Sequence, residues 1–168
     1  MKLLVHRCGT QCYYKEWNPQ HASLTFLRDE LPGGLYQILL LSPTGEAYSE
    51  RLVFNRRDDE AEVTMRQEGT LRQRSKVTLH FEVRDTKRRP AQGDFAVAVT
   101  DRKAAAPVAA AGIYSTLMLS SELRGVIEDP DWYFAPDNAQ GDEGLDELLL
   151  TQGWRRYDVP KLLRNEYE

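Results

Sequence analysis

Residues 76–101, KVTLHFEVRDTKRRPAQGDFAVAVTD, decide the fold of this chain. In the first half of the stretch, apolar residues occupy every second position: Val77, Leu79, Phe81 and Val83. The same spacing recurs in the second half, at Phe95, Val97 and Val99. A period of two predicts strands with one buried and one exposed face, and the polar run 85–93, with Pro90 and Gly93, predicts the turn between them. We therefore expect an antiparallel hairpin, which needs a second sheet or a helix over its apolar face.

The residues before this hairpin indicate a series of further short strands. Their apolar and aromatic segments recur at a spacing of roughly eight to ten residues, which is typical of β-sandwiches. These segments are 2–6, 13–17, 22–27, 35–41 and 46–54. The polar segment 55–60 carries charges of both signs and is the predicted linker. We expect one β-sandwich module over residues 1–57 and a second over residues 58–168, in which a strand at 62–66 joins the hairpin.

The last third of the chain predicts helices beside the sheets. Residues 113–123 are compatible with a strand or a helix, and the glycine at 125 favours a short helix that ends before it. A second helix is predicted over 142–152, because acidic residues crowd its start and three leucines lie at helical spacing: Leu145, Leu148 and Leu149. We expect this helix to close one side of the hairpin. The predicted fold class is mainly β, with tandem immunoglobulin-like sandwiches and a small C-terminal helical segment.

Composition and charge argue against several classes of protein. The 168 residues are 41% hydrophobic and 29% charged, which is typical of a globular and not of a disordered chain. The formal net charge of −4 argues against a general nucleic-acid binder. No apolar run approaches the about 18 to 20 residues that cross a bilayer. Because no secretory signal opens the sequence, we expect an exported protein to carry it as a mature or excised piece.

Four stretches, read in order, resemble a known family. They are LPGGLYQILLLSPTGEAYSERLVFN at 31–55, SKVTLHFEVRDTKRRPAQGDFAVAVTD at 75–101, LMLSSELRGVIEDPDWYF at 117–134 and LDELLLTQGWRRYDV at 145–159. The chain is similar to the macroglobulin-type β-sandwich repeats at the N-terminal side of large outer-membrane and cell-surface proteins of Gram-negative bacteria. In that family, a carboxypeptidase-regulatory-like sandwich and a TonB-dependent plug domain follow the repeats. The most specific pieces of the resemblance are residues 50–54 and 148–158.

The resemblance implies an architecture and a location. It implies macroglobulin-type sandwiches, an extracytoplasmic address (periplasm, outer membrane or cell surface) and a role as spacer or binding module, with no catalytic residues to transfer. A complete sandwich of this kind has about seven strands. The five strands predicted within residues 1–57 therefore lead us to expect that the first strands of that module lie upstream of this sequence.

Cys8 and Cys12 leave three chemical states open. Gly9 and Thr10 suit a tight hairpin turn, and a three-residue loop would place the two cysteines opposite each other, within reach of a disulfide. The run from Cys8 to Gln11 is also similar to the internal thioester sequence Cys-Gly-Glu-Gln of complement-type macroglobulins, but Thr10 stands where that sequence has glutamate. The alternatives are a disulfide, two thiols and a thioester, which intact mass under non-reducing conditions separates.

The remaining polar residues do not form a recognisable site in the sequence. His6, His21 and His80 are scattered and lack the paired spacing of metal ligands. Residues 137–142 lose the ligand alternation of a calcium loop, because Ala139 occupies a ligand position. No nucleophile elbow and no phosphate-binding glycine loop occurs. We therefore predict no catalytic residue, no metal site and no cofactor.

The sequence predicts a non-catalytic structural or binding module of a larger extracytoplasmic bacterial protein. Its expected partners are other domains of the same polypeptide and another envelope protein or glycan, but no nucleic acid. The alternative hypothesis is a ligand-recognition module for carbohydrate or peptide in an uptake or export system, and a thioester- or protease-linked reactive protein is the third. The candidate ligand-contact aromatics are Tyr13, Tyr14 and Trp132. An exposed cleft lined by these rings would favour ligand binding, and their burial would favour a scaffold.

Overall fold

The computed structural model describes residues 1–18, 20, 23–57, 61–97, 99, 111–152, 158, 159 and 161. The chain is mainly β, with 34% strand and 20% helix, two antiparallel sheets and a short helical C-terminal segment, which confirms that part of the predicted fold class. Backbone contacts divide it into two units, Met1–Arg56 with Pro107–Glu168 and Arg57–Ala106. The division into one sandwich over 1–57 and another over 58–168 stays a prediction.

Four antiparallel strands form the sheet of the first unit, in the spatial order β2-β1-β3-β4. Their bounds are Lys2–Arg7 for β1, Thr10–Glu16 for β2, Gly34–Leu41 for β3 and Ala47–Asn55 for β4. Cys8 and Gly9 form the turn between β1 and β2, with φ values of 50° and 75°. Two successive residues with positive φ are typical of the two-residue hairpin turns that match the twist of the strands.

The strand predicted at 22–27 does not form, because its described residues, 23–27, lie outside the strands. β3 pairs with β1 on the side of β1 away from β2, so the connection from β2 to β3 must cross a face of the sheet. Residues 23–27 belong to this crossing. The ring of Phe26 meets the ring of Tyr13 edge-on, with 5.2 Å between the centroids. Phe26 therefore contacts the face of the sheet, and the described residues of this segment do not pair within the sheet.

Helical structure covers the opposite face of this sheet. α1 spans Ile113–Met118 and α2 spans Gly141–Thr151, which confirms both predicted helices, although α1 ends earlier and is followed by a 3₁₀ turn at Ser120–Glu122. The sheet and the helical segments share one buried cluster: Leu35, Leu52, Leu119, Leu123, Leu145 and Leu149. The expectation that α2 packs on the hairpin was wrong, since its leucines pack on β3 and β4. Helical spacing gives α2 an apolar face but does not specify which sheet receives it.

The second unit contains a two-stranded antiparallel sheet. β5 spans Glu62–Glu68 and β6 spans Thr78–Arg84. The strand predicted at 95–99 does not form in the described residues, because residues 91–97 and 99 lie outside the strands, and the strand that pairs with β6 along its length is β5. The turn after β6 is also shorter than predicted.

Asp85 fixes this short turn. Its carboxylate accepts hydrogen bonds from the backbone N–H groups of Lys87 and Arg89, both at 2.9 Å, and from the Arg89 side chain. These bonds, with the Arg89 backbone bond first, lower the pKa of Asp85. An aspartate that bonds the backbone two residues on stabilises a tight turn, so the chain reverses between Asp85 and Arg89.

Candidate functional site

The first unit holds a cleft of about 190 Å³ between β4 and the start of α2. Its floor is apolar and its rim is charged, with equal numbers of acidic and basic side chains. The lining residues are Arg28, Phe54, Arg56, Asp142, Leu145, Asp146 and Leu149. The apolar members belong to, or pack against, the buried leucine cluster. The cleft is therefore the solvent-accessible edge of the buried leucine cluster.

Two ion pairs join β4 and the residue after it to α2. Arg51 Nη2 lies 2.7 Å from Asp146 Oδ1, and Arg56 Nε lies 2.5 Å from Asp142 Oδ1. Both aspartates are more than half exposed, so each pair contributes on the order of 0–1 kcal/mol to stability. Their main effect is to orient α2 on the sheet. Asp142 also lies in the first turn of α2, where a negative charge is favoured by the helix dipole.

Arg56 makes further contacts that fix its side chain. Its Nη2 donates a hydrogen bond of 2.6 Å to the backbone carbonyl of Tyr133. Its guanidinium carbon lies 5.3 Å from the centre of the Phe134 ring, within the range of a cation–π contact. The side chain therefore links the end of β4 to the 3₁₀ turn Trp132–Phe134 as well as to α2. This arrangement holds elements together and leaves Arg56 committed to structural partners.

The second cavity has a volume of about 210 Å³. It lies between the crossing segment, residues 23–32, and the face of the first sheet that the helices do not cover. Most of its lining is apolar, and the polar exceptions include Arg28 and Asn55. The full lining is Val5, Phe26, Leu27, Arg28, Leu31, Tyr36, Ile38, Val53, Phe54 and Asn55. Sites for drug-sized ligands usually measure about 300–1,000 Å³. This cavity is therefore large enough for one apolar side chain or a comparably small group.

Two polar side chains hold the crossing segment over this cavity. Asn55 Nδ2 lies 3.1, 2.9 and 3.2 Å from the backbone carbonyl oxygens of Arg28, Leu31 and Pro32. The hydroxyl of Tyr36 donates to the Pro32 carbonyl at 2.8 Å. Carbonyl groups near a buried interface need partners, and here the end of β4 and the start of β3 supply them. The polar groups of this cavity are thus engaged in anchoring the segment.

The candidate aromatics do not share one cleft. Tyr13 and Tyr14 are neighbours on β2 and point to opposite faces of the sheet. Tyr13 packs on Phe26, and Lys15 Nζ lies 5.5 Å from the Tyr13 ring centre. Tyr14 is 42% exposed. Neither of the two cavities that Phe54 lines includes any of the three candidate rings.

Trp132, also 42% exposed, packs against α2. A Cβ atom on Gly144 would lie 2.8 Å from Cζ3 of the indole, which is closer than carbon atoms approach without rearrangement. The indole also meets the Tyr133 ring edge-on at a centroid distance of 5.2 Å. Glycine at position 144 therefore lets the indole approach the helix backbone, and Trp132 positions α2 while keeping part of its ring exposed.

Both cysteines are exposed thiols in the structure. The turn between β1 and β2 has two residues and not the predicted three, so Cys8 lies in the turn and Arg7 pairs with Thr10. Cys12 lies on β2 where the register shifts between Val5 and His6. The directly opposed geometry expected for the two cysteines was therefore wrong. A disulfide between them in solution stays a prediction.

His6 is buried, which the sequence reasoning missed. It is 4% exposed and pairs across the sheet with Gln37 on β3. Burial lowers its pKa, while the Gln37 side chain, Glu122 and Glu50 act in the opposite direction. The period of two could have signalled this position, because Leu4 and His6 share a face of β1. His80 lies 3.2 Å from Glu68 on the exposed hairpin, and His21 is outside the described residues.

The sequence reasoning also missed the anchoring group of Arg51, Asn55, Arg56, Asp142 and Asp146. The available signal was the run of polar residues at the end of an apolar strand, LVFNRR at 52–57. The predicted linker at 55–60 begins within that run. Polar residues at a strand end satisfy loops and helices that return to the sheet, so their sequence position alone does not reveal their partners.

Comparison with protein-family models, with curated proteins and with solved structures found no match. Across the described ranges, no three or more histidine, cysteine or acidic residues are grouped to hold a metal ion. No described helix has the length and apolar character to span a membrane.

Proposed function

We propose that this chain is a non-catalytic structural or binding module of a larger extracytoplasmic bacterial protein, in which another domain of the same polypeptide packs on the second unit. The observation that carries the proposal is the apolar face of the β5–β6 sheet. On this face Met65 lies opposite Phe81 and Val63 lies opposite Val83. Val63, Met65 and Phe81 are 60%, 62% and 47% exposed.

This face has the properties of a surface that another domain covers. A two-stranded sheet alone is marginally stable in water at best and needs packing over its apolar face. Adjacent exposed apolar side chains in register mark sites of protein–protein contact. The other face of β5 and β6 carries polar residues, among them Thr64 opposite Glu82 and Arg66 opposite His80. The sheet is therefore amphipathic, with one face suited to a partner and one to solvent.

The polar side chains of the first unit support a structural role. Arg51, Arg56, Asp142 and Asp146 pair across the β4–α2 cleft, and Asn55 holds the crossing segment. These groups are occupied in joining elements of the fold. A unit whose elements are joined in this way is suited to position neighbouring domains.

The finer part of the proposal concerns fold and location. We propose that the two antiparallel sheets belong to tandem immunoglobulin-like sandwiches of macroglobulin type, exposed in the periplasm or at the outer membrane of a Gram-negative bacterium. Support comes from the antiparallel pairing of both sheets and from the sequence resemblance at 50–54, within β4, and at 148–158. Another envelope protein or a glycan is a further partner in this proposal.

The test compares Met65→Lys with Thr64→Lys, which are neighbours on opposite faces of β5. Both variants are made in the natural protein that carries this sequence and in the isolated chain. Limited proteolysis of the 57–106 region measures domain docking. We expect Met65→Lys to accelerate cleavage in the natural protein, because a charge would have to be buried in the contact, and Thr64→Lys to leave it unchanged.

In the isolated chain, where the face is exposed, we expect the two variants to be cleaved at similar rates. Equal cleavage of both variants in the natural protein would contradict the proposal. A difference that persists in the isolated chain would assign the effect to the hairpin itself and would equally contradict docking.

The alternative, recognition of a carbohydrate or peptide, is favoured by the half-exposed rings of Tyr14 and Trp132. Aromatic faces of this kind are common contacts for such ligands. The discriminating experiment titrates the chain with a panel of glycans and peptides and follows tryptophan fluorescence. A saturable change that Trp132→Ala abolishes and Tyr48→Ala, at another exposed ring, retains would favour this alternative.

A further inference from the structure

Residues 89–91 form the first backbone contacts of a third strand at the outer edge of β6. β6 pairs with β5 on one side, and on the other side Arg84 forms an antiparallel bridge with Pro90. Asp85 N–H donates to the Arg89 carbonyl at 2.8 Å, and Ala91 N–H donates to the Val83 carbonyl at 2.9 Å. Residues 92–97, which come next, lie outside the strands. Residues 89–91 therefore pair with the outer edge of β6, and residues 92–97 do not continue this pairing.

These contacts define one register. Each step forward from Arg89 matches one step back from Asp85, so Pro90 lies opposite Arg84 and Ala91 opposite Val83. Continuing the same register places Asp94 opposite His80. It also places Phe95 opposite Leu79 and Val97 opposite Val77.

The backbone of β6 is oriented to accept this strand. Val83 directs its carbonyl to Ala91, whereas Glu82 directs its carbonyl towards β5, where Thr64 Oγ1 lies 3.5 Å away. Because backbone groups alternate sides along a strand, Phe81 and Leu79 direct theirs to the outer edge. Pro90, which has no N–H, falls at a position of the ladder where no donor is needed.

The side chains match the same register. Phe95 and Val97 would join the face that carries Met65, Phe81 and Leu79, and both are now more than half exposed. Asp94 would stand opposite His80 on the polar face. A register shifted by one residue would reverse both placements.

We propose that the outer edge of β6 is a strand-docking site and that its occupant is residues 92–97 of the same chain. Docking converts the two-stranded sheet into a three-stranded one and widens its apolar face. The site does not depend on the proposed function, because the register comes from contacts within the second unit alone. An exposed strand edge attracts other chains, so docking of the segment would also protect this edge.

The test is a register-specific disulfide. His80→Cys with Asp94→Cys, in a Cys8→Ser, Cys12→Ser background, pairs two positions without mutual hydrogen bonds, whose Cα atoms in a ladder are about 4.5 Å apart and within disulfide range. The control joins His80→Cys to Phe95→Cys, which the register places on opposite faces. Under glutathione oxidation we expect the intramolecular disulfide to form at least about 10-fold faster in the first variant, measured by intact mass.

Equal rates in the two variants would overturn the proposal. Disulfide-linked dimers through positions 80 and 94 would assign the edge to a second copy and would also overturn it. A second measurement uses the unsubstituted chain: docking predicts an NMR contact between the Hα atoms of His80 and Asp94. Its absence in the full chain would contradict docking even if the cysteine variants failed to fold.

Discussion

Asn55 shows how a single side chain at a strand end holds a segment that has no ladder of its own. Its amide group lies within hydrogen-bond distance of three carbonyl oxygens, at Arg28, Leu31 and Pro32. An amide nitrogen has two hydrogens, so at least two of these carbonyls share one donor. One side chain therefore supplies hydrogen-bond donors to three backbone carbonyl groups of the crossing segment.

Asn55→Asp replaces this donor with an acceptor of the same shape. Facing carbonyl oxygens, the carboxylate would lose the bonds and repel its neighbours, so we expect a loss of about 1–3 kcal/mol in the free energy of unfolding at neutral pH. Urea unfolding measures it, with Ser49→Ala on the exposed part of β4 as control. Unchanged stability in Asn55→Asp would show that the segment is held by other contacts.

His6 makes the first unit sensitive to acid. Burial lowers its folded pKa below the unfolded value, so the unfolded chain binds the proton more readily than the folded chain. Stability from this group is therefore present above the unfolded pKa of about 6.5 and is lost as the pH falls below it towards the folded pKa.

His6→Gln removes this proton-binding site while keeping a polar side chain. We expect the variant to lose less stability than the unsubstituted chain between about pH 6.5 and pH 5, measured as the unfolding midpoint in urea at each pH. The Gln37 side chain, Glu122 and Glu50 oppose the effect of burial and reduce its size. Parallel pH profiles for the two proteins would contradict this role of His6.

At the scale of elements, α2 is the part of the fold that local sequence specifies best. The sequence predicts it at 142–152 and the structure has it at Gly141–Thr151, because the acidic residues at its start and the leucine spacing both lie within the helix. β6 is also predicted from residues within the element, namely the alternating apolar residues at 77–83. The partner of β6, the crossing at 23–27 and the packing of α2 on β4 depend on residues far apart in the chain. Alternation and spacing describe one face of an element and do not name what covers it.

The two faces of α2 give a matched prediction. Leu149 is 2% exposed and packs in the leucine cluster, while the adjacent Leu150 is 63% exposed. Leu149→Ala would leave a cavity against β3 and β4 and cost about 2–5 kcal/mol. Leu150→Ala would change stability by less than about 0.5 kcal/mol. Urea unfolding of both variants measures the difference, and similar costs would contradict the described orientation of α2.

The candidate site was predictable only in part. Tyr14 and Trp132 were identified from the sequence and are half exposed, but the sequence did not place them relative to a cleft. Cys8 and Cys12 were identified, yet the loop length was wrong by one residue, which changes the partner of every position near the turn. Arg56 and Asp142 are separated by about half of the chain, and only the return of α2 to the first sheet brings them together.

At the scale of the whole molecule, the two units differ in how their apolar residues are used. The first unit buries a cluster of six leucines between sheet and helices, whereas the second leaves Val63, Met65 and Phe81 exposed in register. A chain that buries one sheet and exposes another is suited to contribute the second sheet to a contact. That contrast is the basis of the proposed role as a module of a larger protein.

Hydrogen exchange of the β5 and β6 amides tests this role most directly. It is measured in the isolated chain and in the natural protein that carries it, with the β3 amides as an internal reference. We expect β5 and β6 to exchange more slowly in the natural protein, because a covering domain suppresses opening of the hairpin, and β3 to exchange equally in both. Equal exchange of β5 and β6 in the two proteins would contradict the proposal that another domain packs on this face.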